Sequence, residues 1–243
     1  MGFICYLAGV QQLPNQSGYT SHVDFTDGQL PVFILWSAWI LYGLVAFVAV
    51  RFSPWAQLRD NEALHVFLGA CVALMVLWII RVNVRSDLHL HLLGVTTFTL
   101  MFGWPLAVVA VSLVALGVSF SGVGGIETFA LNVLLIGVIP IVLTTVLLSV
   151  TQRRLPHNFF IYVYLNAFLA AGLSILCAVL AGAFILVAGE VRSFGWLADQ
   201  YLAYLPMMFF SEAVLNGMVM TMLVALRPAW VCSFDDKLYI HGK

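Results

Sequence analysis

Charge is scarce in this sequence. Only 9% of its 243 residues are Asp, Glu, Lys or Arg, against roughly 25% in an average soluble domain. A water-soluble fold of this length cannot cover its surface with so few charges. The formal net charge of -1 offers no basic patch for nucleic acid and no acidic tract for a basic partner. The four cysteines, Cys5, Cys71, Cys177 and Cys232, include no C-x-x-C pair and imply no disulfide framework. Cys71 and Cys177 lie in apolar runs and read as small buried apolar residues. The chain has no His-Glu-x-x-His, no Gly-x-Ser-x-Gly and no P-loop, which removes the commonest metalloprotease, serine hydrolase and nucleotide-binding signatures. Paired carboxylates, an Arg-rich voltage-sensor pattern, long repeats and low-complexity tracts are missing too.

What is abundant is apolar surface, at 63% of residues. A membrane-crossing helix needs roughly 20 consecutive apolar residues, and several runs meet that length. The candidates are 31–50, 63–80, 127–150, 159–188 and 200–226. The run 88–119 exceeds one membrane thickness, and Gly103-Trp104-Pro105 divides it, because proline lacks a donor N–H and disfavours helix before it. It reads as a hairpin of short or re-entrant helices opening at His89. The expected fold is all-α, a polytopic transmembrane bundle of about six or seven helices with a broken short-helix hairpin at 88–119. Residues 1–27 form an N-terminal extension or extracellular segment, 28–228 the membrane domain and 229–243 a cytoplasmic tail. The stretch 1–22 has no basic n-region and no small-residue cleavage site, so it reads as an extension or a start-codon artefact rather than a signal peptide.

Basic residues set orientation. With 88–119 as a hairpin, Arg51, Arg59, Arg153, Arg154, Arg227, Lys237 and Lys243 share one side, and Arg81, Arg85 and Arg192 the other. Seven against three puts the C-terminus of this multi-pass chain in the cytoplasm and the N-terminus outside.

Polar side chains at bilayer depth need a partner or a purpose. Glu212 and Asn216 stand one turn apart on one face of the last apolar run. They read either as a polar coupling element lining a path or as a hydrogen-bond clamp between helices. Asn132, Asn166, Thr96, Thr97 and Thr99 read as interhelical hydrogen-bond formers. His89 and His91 are the imidazoles nearest a metal-binding pattern, with His22 before the first helix as a further donor. Neutral imidazole suits Ni²⁺, Co²⁺, Cu²⁺ and Zn²⁺. The competing reading is that they are polar end residues at the interface. In a helix His89 and His91 point about 200° apart, so they share a small site only if the segment is extended.

Several segments together carry a resemblance. They are Asp27-Gly28-Gln29-Leu30-Pro31, Leu90-His91-Leu92-Leu93-Gly94, Phe102-Gly103-Trp104-Pro105, Leu155-Pro156-His157-Asn158-Phe159-Phe160, Phe210-Ser211-Glu212-Ala213-Val214-Leu215-Asn216-Gly217, Arg227-Pro228-Ala229-Trp230-Val231 and Phe234-Asp235-Asp236. Over about residues 24–240 the chain resembles the CbiM/NikM-type substrate-binding membrane subunits of energy-coupling factor transporters for cobalt and nickel, in a proteobacterial predicted-permease branch. The resemblance implies about seven helices. It also implies a metal site built from an N-terminal Met-His start and a later histidine, which His91 matches. The start departs from that pattern, being Met1-Gly2, and His22 is internal. The expected function is uptake of Co²⁺ or Ni²⁺ as cargo, with no intrinsic cofactor and no enzymatic activity. ATP-binding subunits and a coupling transmembrane subunit would act in trans. The rival is a membrane scaffold or assembly protein of the same fold that has lost metal binding. A membrane enzyme using His91 and Glu212 as base and acid lacks a substrate-sized polar constellation.

Overall fold

The computed structural model describes residues 21–22, 30–80, 82–85, 88–90, 92–120, 125–191, 193–200 and 202–235. It is an all-α polytopic bundle. Five of its helical segments are long and apolar enough to cross a membrane.

Helix α1, Val32–Phe52, follows Pro31, whose carbonyl accepts the first helical bond from Ile34 N–H. It buries only Ala38 and Ala49, while Phe33, Trp36, Ile40 and Phe47 stay exposed. A helix that is apolar all round yet hardly buried is matched to lipid rather than water. Helix α2, Asn61–Ile79, starts at Asp60, whose carboxylate accepts from Ala63 N–H at 3.2 Å, a conventional N-cap. Its buried stripe is Phe67, Cys71, Leu74 and Trp78.

The expected hairpin of 88–119 is broken at Gly103 as its sequence implies, but it opens differently. Residues Leu88–Leu90 form a strand, β3, rather than the first turn of a helix. It pairs antiparallel with β2, Val82–Arg85, and parallel with β1, Ser21–His22, in the order β1-β3-β2. Helix α3 begins only at Val95 and ends at Phe102. The positive φ of Gly94, 64°, and of Gly103, 81°, brackets it; both are conformations that glycine adopts without steric cost. Helix α4, Trp104–Phe120, continues from Gly103. Although α3 has just eight residues, seven are buried. It packs against α2, α4 and the three helices that follow. Phe98 and Phe102 meet Phe67 of α2 edge to face, with ring centroids 5.6 and 5.2 Å apart.

Helix α5, Phe129–Arg154, contains Pro140. Proline cannot complete the ordinary α-helical ladder. The preceding residues Val133–Val138 widen into a π turn, in which Ile139 N–H bonds Leu134 O. Helix α6, Phe159–Ala188, is capped by the Asn158 side chain, which accepts from Phe160 N–H at 2.9 Å. It carries a second π stretch over Tyr162–Leu169. The connection from α6 to the last span is partly helical, over Phe194–Gln200. It leads into α7, Leu205–Leu226, which packs along α6.

Close helix contacts in lipid depend on small residues. A Cβ on Gly217 of α7 would overlap the Phe168 ring of α6, and one on Gly172 of α6 would meet Phe209 of α7 at 2.5 Å. Gly217→Ala is therefore expected to part α6 from α7 and to destabilise the protein by about 1–3 kcal/mol, the usual cost of overpacking. Thermal unfolding in detergent checks this: a lower midpoint is expected, and an unchanged one contradicts the contact.

Candidate functional site

A helix leaves its first amides without intrahelical partners. At bilayer depth no water replaces them. Helix α3 begins in the interior, and its amides are met by α7. Glu212, two turns into α7 and 2% exposed, accepts from Leu93 N–H at 2.8 Å through Oε2 and from Gly94 N–H at 2.7 Å through Oε1. Asn216, one turn later and fully buried, accepts from Thr97 N–H at 2.9 Å and from the Thr97 hydroxyl at 2.8 Å. Its Nδ2 donates to Glu212 Oε1 at 2.8 Å and to Glu212 O at 2.9 Å. From the other side, the Trp78 indole N–H of α2 donates to Leu93 O at 2.8 Å. The carboxylate also faces the positive end of the α3 dipole, an added favourable term.

The other end of α3 is tied as well. Beyond α7 a short turn, Pro228–Trp230, returns the chain to the bundle. Cys232 N–H donates to Met101 O at 3.0 Å, and Ser233 N–H to Leu100 O at 3.3 Å. The Ser233 hydroxyl donates to Leu100 O at 2.7 Å. Tyr162 Oη lies 2.6 Å from Ser233 Oγ. With the one serine proton on Leu100 O, the tyrosine is the donor in that pair. Phe234 is buried and meets the Tyr162 ring at 5.0 Å.

Of the residues singled out from sequence, Glu212 and Asn216 thus form one network with Thr97. Thr96 bonds across helices to Thr144 at 3.2 Å. Thr99 instead returns its hydroxyl to Val95 O, and Asn132 bonds Thr128 within its own neighbourhood. Asn166, expected to bond across helices, has neither amide atom hydrogen-bonded although it is fully buried. His22 and His89 are Cα partners in the β1–β3 ladder, and Asn83 of β2 is the partner of His89 on the other side. The segment is extended at His89. His91 lies outside the described residues, one residue before Leu92. Among the described residues no three His, Cys, Asp or Glu side chains gather as metal ligands. Cys71 is buried as expected and Cys177 only half-buried, because one side of its helix lies at the periphery of the bundle; Cys232 is exposed on the returning tail. Sequence reasoning missed Trp78, Tyr162 and Ser233. Only the Cys232-Ser233-Phe234 stretch, with a large apolar ring after a polar pair, hinted that the tail returns to the bundle.

A multi-pass bundle whose central half-helix is capped by buried polar groups from a neighbouring span is an integral membrane protein. Its family follows from the sequence match: the chain belongs to the CbiM family, the cobalt uptake substrate-specific transmembrane region, matched over residues 24–230. That family is a transporter membrane component and not an enzyme class. The fold is similar to the crystal structure of a transition metal transporter, with a TM-score of 0.69 and 16% identity, covering 84% of this chain and 93% of that one. A truncated transition metal transporter is similar in the same way, with a TM-score of 0.68 and 16% identity, covering 83% of this chain and 98% of that one. No curated protein matches the sequence significantly.

Glu212→Gln keeps the size of the side chain but turns an NH₂ toward a backbone N–H. The expected cost is about 2–4 kcal/mol, from a lost charge-assisted bond and an unsatisfied buried amide. Asn216→Leu should cost a comparable amount by stranding Thr97. A fall in the detergent unfolding midpoint for both variants is the expected result; wild-type midpoints would show that the network holds nothing.

Proposed function

We propose that the chain is the metal-capturing membrane subunit of an energy-coupling factor transporter that takes up Co²⁺ or Ni²⁺. The observation that carries this is membership of the cobalt-uptake family. The clamp adds support: Glu212 bonds the amides of Leu93 and Gly94, two and three residues after His91. Metal coordination tolerates little displacement of its ligands, and anchoring the chain just beyond a ligand limits that displacement. His91 is the principal ligand in this proposal, with His89 and His22 as assisting donors, their backbones paired through β1 and β3. Glu212 and Asn216 act on the cargo through the segment they position. Residues 1–27 face the exterior, 28–228 cross the bacterial inner membrane, and the tail 229–243 lies in the cytoplasm, in keeping with the seven-to-three distribution of basic residues. ATP-binding subunits and a coupling transmembrane subunit supply the energy in trans.

A ligand that binds the folded state alone stabilises it by about 2.7 kcal/mol at a hundred times its dissociation constant. Purified protein should therefore gain thermal stability with Co²⁺ or Ni²⁺, and His91→Ala should lose most of that gain while keeping its metal-free midpoint. A scaffold that has lost metal binding would show no shift with either ion, and that result ends the transport proposal in its metal form.

A further inference from the structure

Helix α3 is held at both ends by one stretch of chain. Its N-terminal amides are bonded to Glu212 and Asn216 of α7. Its last carbonyls, Leu100 and Met101, are bonded to Cys232 and Ser233, which follow α7. Between the two ends lie eight helical residues, seven of them buried, a strut of about 12 Å at 1.5 Å per residue. Close-packed interiors transmit displacement rather than absorb it. Movement of residues 92–94 is therefore passed along α3 to the tail. The tail end is a surface feature: Ala229, Cys232 and Asp235 are exposed. A cavity of about 260 Å³ lies there, lined by Met101 and Phe102 of α3, by Asp60 and Glu62, and by Trp230 and Cys232.

We infer that α3 is a strut that couples metal occupancy beside His91 to the Pro228–Asp235 turn, with Ser233 as a positioning residue for a site at the far end of the helix. This rests on the metal-capture reading above. Ser233 suits the role because it bonds Leu100 O through both its amide and its hydroxyl, and the Tyr162 hydroxyl bonds Ser233 in turn. The turn would present one arrangement to a coupling partner when metal is bound and a looser one when it is not. Linkage makes the effect reciprocal: metal binds the tight turn more strongly than the loose one by the same factor by which metal favours the tight turn, so a change that loosens the turn weakens metal binding by at most that factor.

Cys232 is a built-in reporter. Its amide closes the bond to Met101 O and its Sγ sits 3.7 Å from Leu100 O. The surrounding protein pushes its thiol pKa up, so the locked turn also disfavours the reactive thiolate. The test is site-resolved alkylation of Cys232 in the detergent-solubilised full chain, read by mass spectrometry with and without NiCl₂ or CoCl₂, beside a direct titration of metal binding. Metal is expected to slow alkylation at least threefold in the wild type and to leave the rate in His91→Ala unchanged. In metal-free protein, Glu212→Gln is expected to speed alkylation at least threefold, while Val179→Ala, a core truncation in α6, leaves it alone. Thr97→Val takes the place of Glu212→Gln should that variant not fold. Ser233→Ala should weaken metal binding at least threefold, and Ser233→Thr should restore it. Metal binding with an unchanged Cys232 rate overturns the strut and leaves metal capture standing. Protection that persists in His91→Ala means the metal sits on the thiol itself, and also overturns it. Absence of metal binding removes both proposals, whereas a Cys232 rate indifferent to Glu212→Gln or Thr97→Val removes the strut alone.

Discussion

A helix that begins inside a packed bundle carries amides that neither water nor its own backbone can satisfy. Where α3 begins, the carboxylate of Glu212 accepts from the amides of Gly94 and of Leu93 just before it, and Asn216 from that of Thr97. The arrangement settles several other features. The chain is free to stay extended through β3 and still enter a buried helix, because the cost of starting that helix is met from α7. Gly94 is needed where the backbone turns from strand to helix with φ of 64°. Trp78 completes the junction by donating to the one carbonyl, that of Leu93, that the turn aims at α2. A buried carboxylate is tolerated at this depth only because every contact described for it is one of acceptance from a donor.

The same logic operates at the opposite end of α3, with weaker groups. Carbonyls at a helix C-terminus are less demanding than amides at its start, and backbone N–H groups of Cys232 and Ser233 suffice. The protein thus places a helix of eight residues at its centre and binds it to one long span and that span's continuation. Helix α1 is peripheral: it packs one side on α4 and α5, with Trp39 and Tyr42 against Phe129, and buries only two of its residues. The interior is organised around polar bonds and small-residue contacts rather than around a hydrophobic driving force, as expected where the solvent is itself apolar.

Most of the architecture was legible from residue pattern. Apolar run length locates α1, α2, α5, α6 and α7 to within a few residues, since a bilayer imposes that length regardless of neighbours. Gly103-Trp104-Pro105 locates the break between α3 and α4, because both residues flanking Trp104 act through local backbone geometry. The start of α3 was not legible. Leu88 to Gly94 is largely apolar, and pairing with β1, a long-range event, joins the local hairpin with β2 in making Leu88–Leu90 extended. Glu212 and Asn216 were legible as residues needing partners, yet their partners are backbone amides, which carry no sequence signal. Ser233 was hidden for the opposite reason: in a polar tail a serine looks solvated. The π turn at Pro140 follows from the proline, while that around Asn166 has no counterpart in local sequence.

The central claim is that the amides opening α3 are held by a side chain from α7. Hydrogen exchange at Leu93, Gly94 and Thr97 in the detergent-solubilised protein measures this directly, since a bonded amide exchanges only when its bond opens. The three amides should be as slow as those in the middle of α3, and Glu212→Gln should release Leu93 and Gly94 while the interior of α6 stays protected. Rapid exchange at Leu93 and Gly94 in the wild type, or slow exchange indifferent to the substitution, would contradict the account.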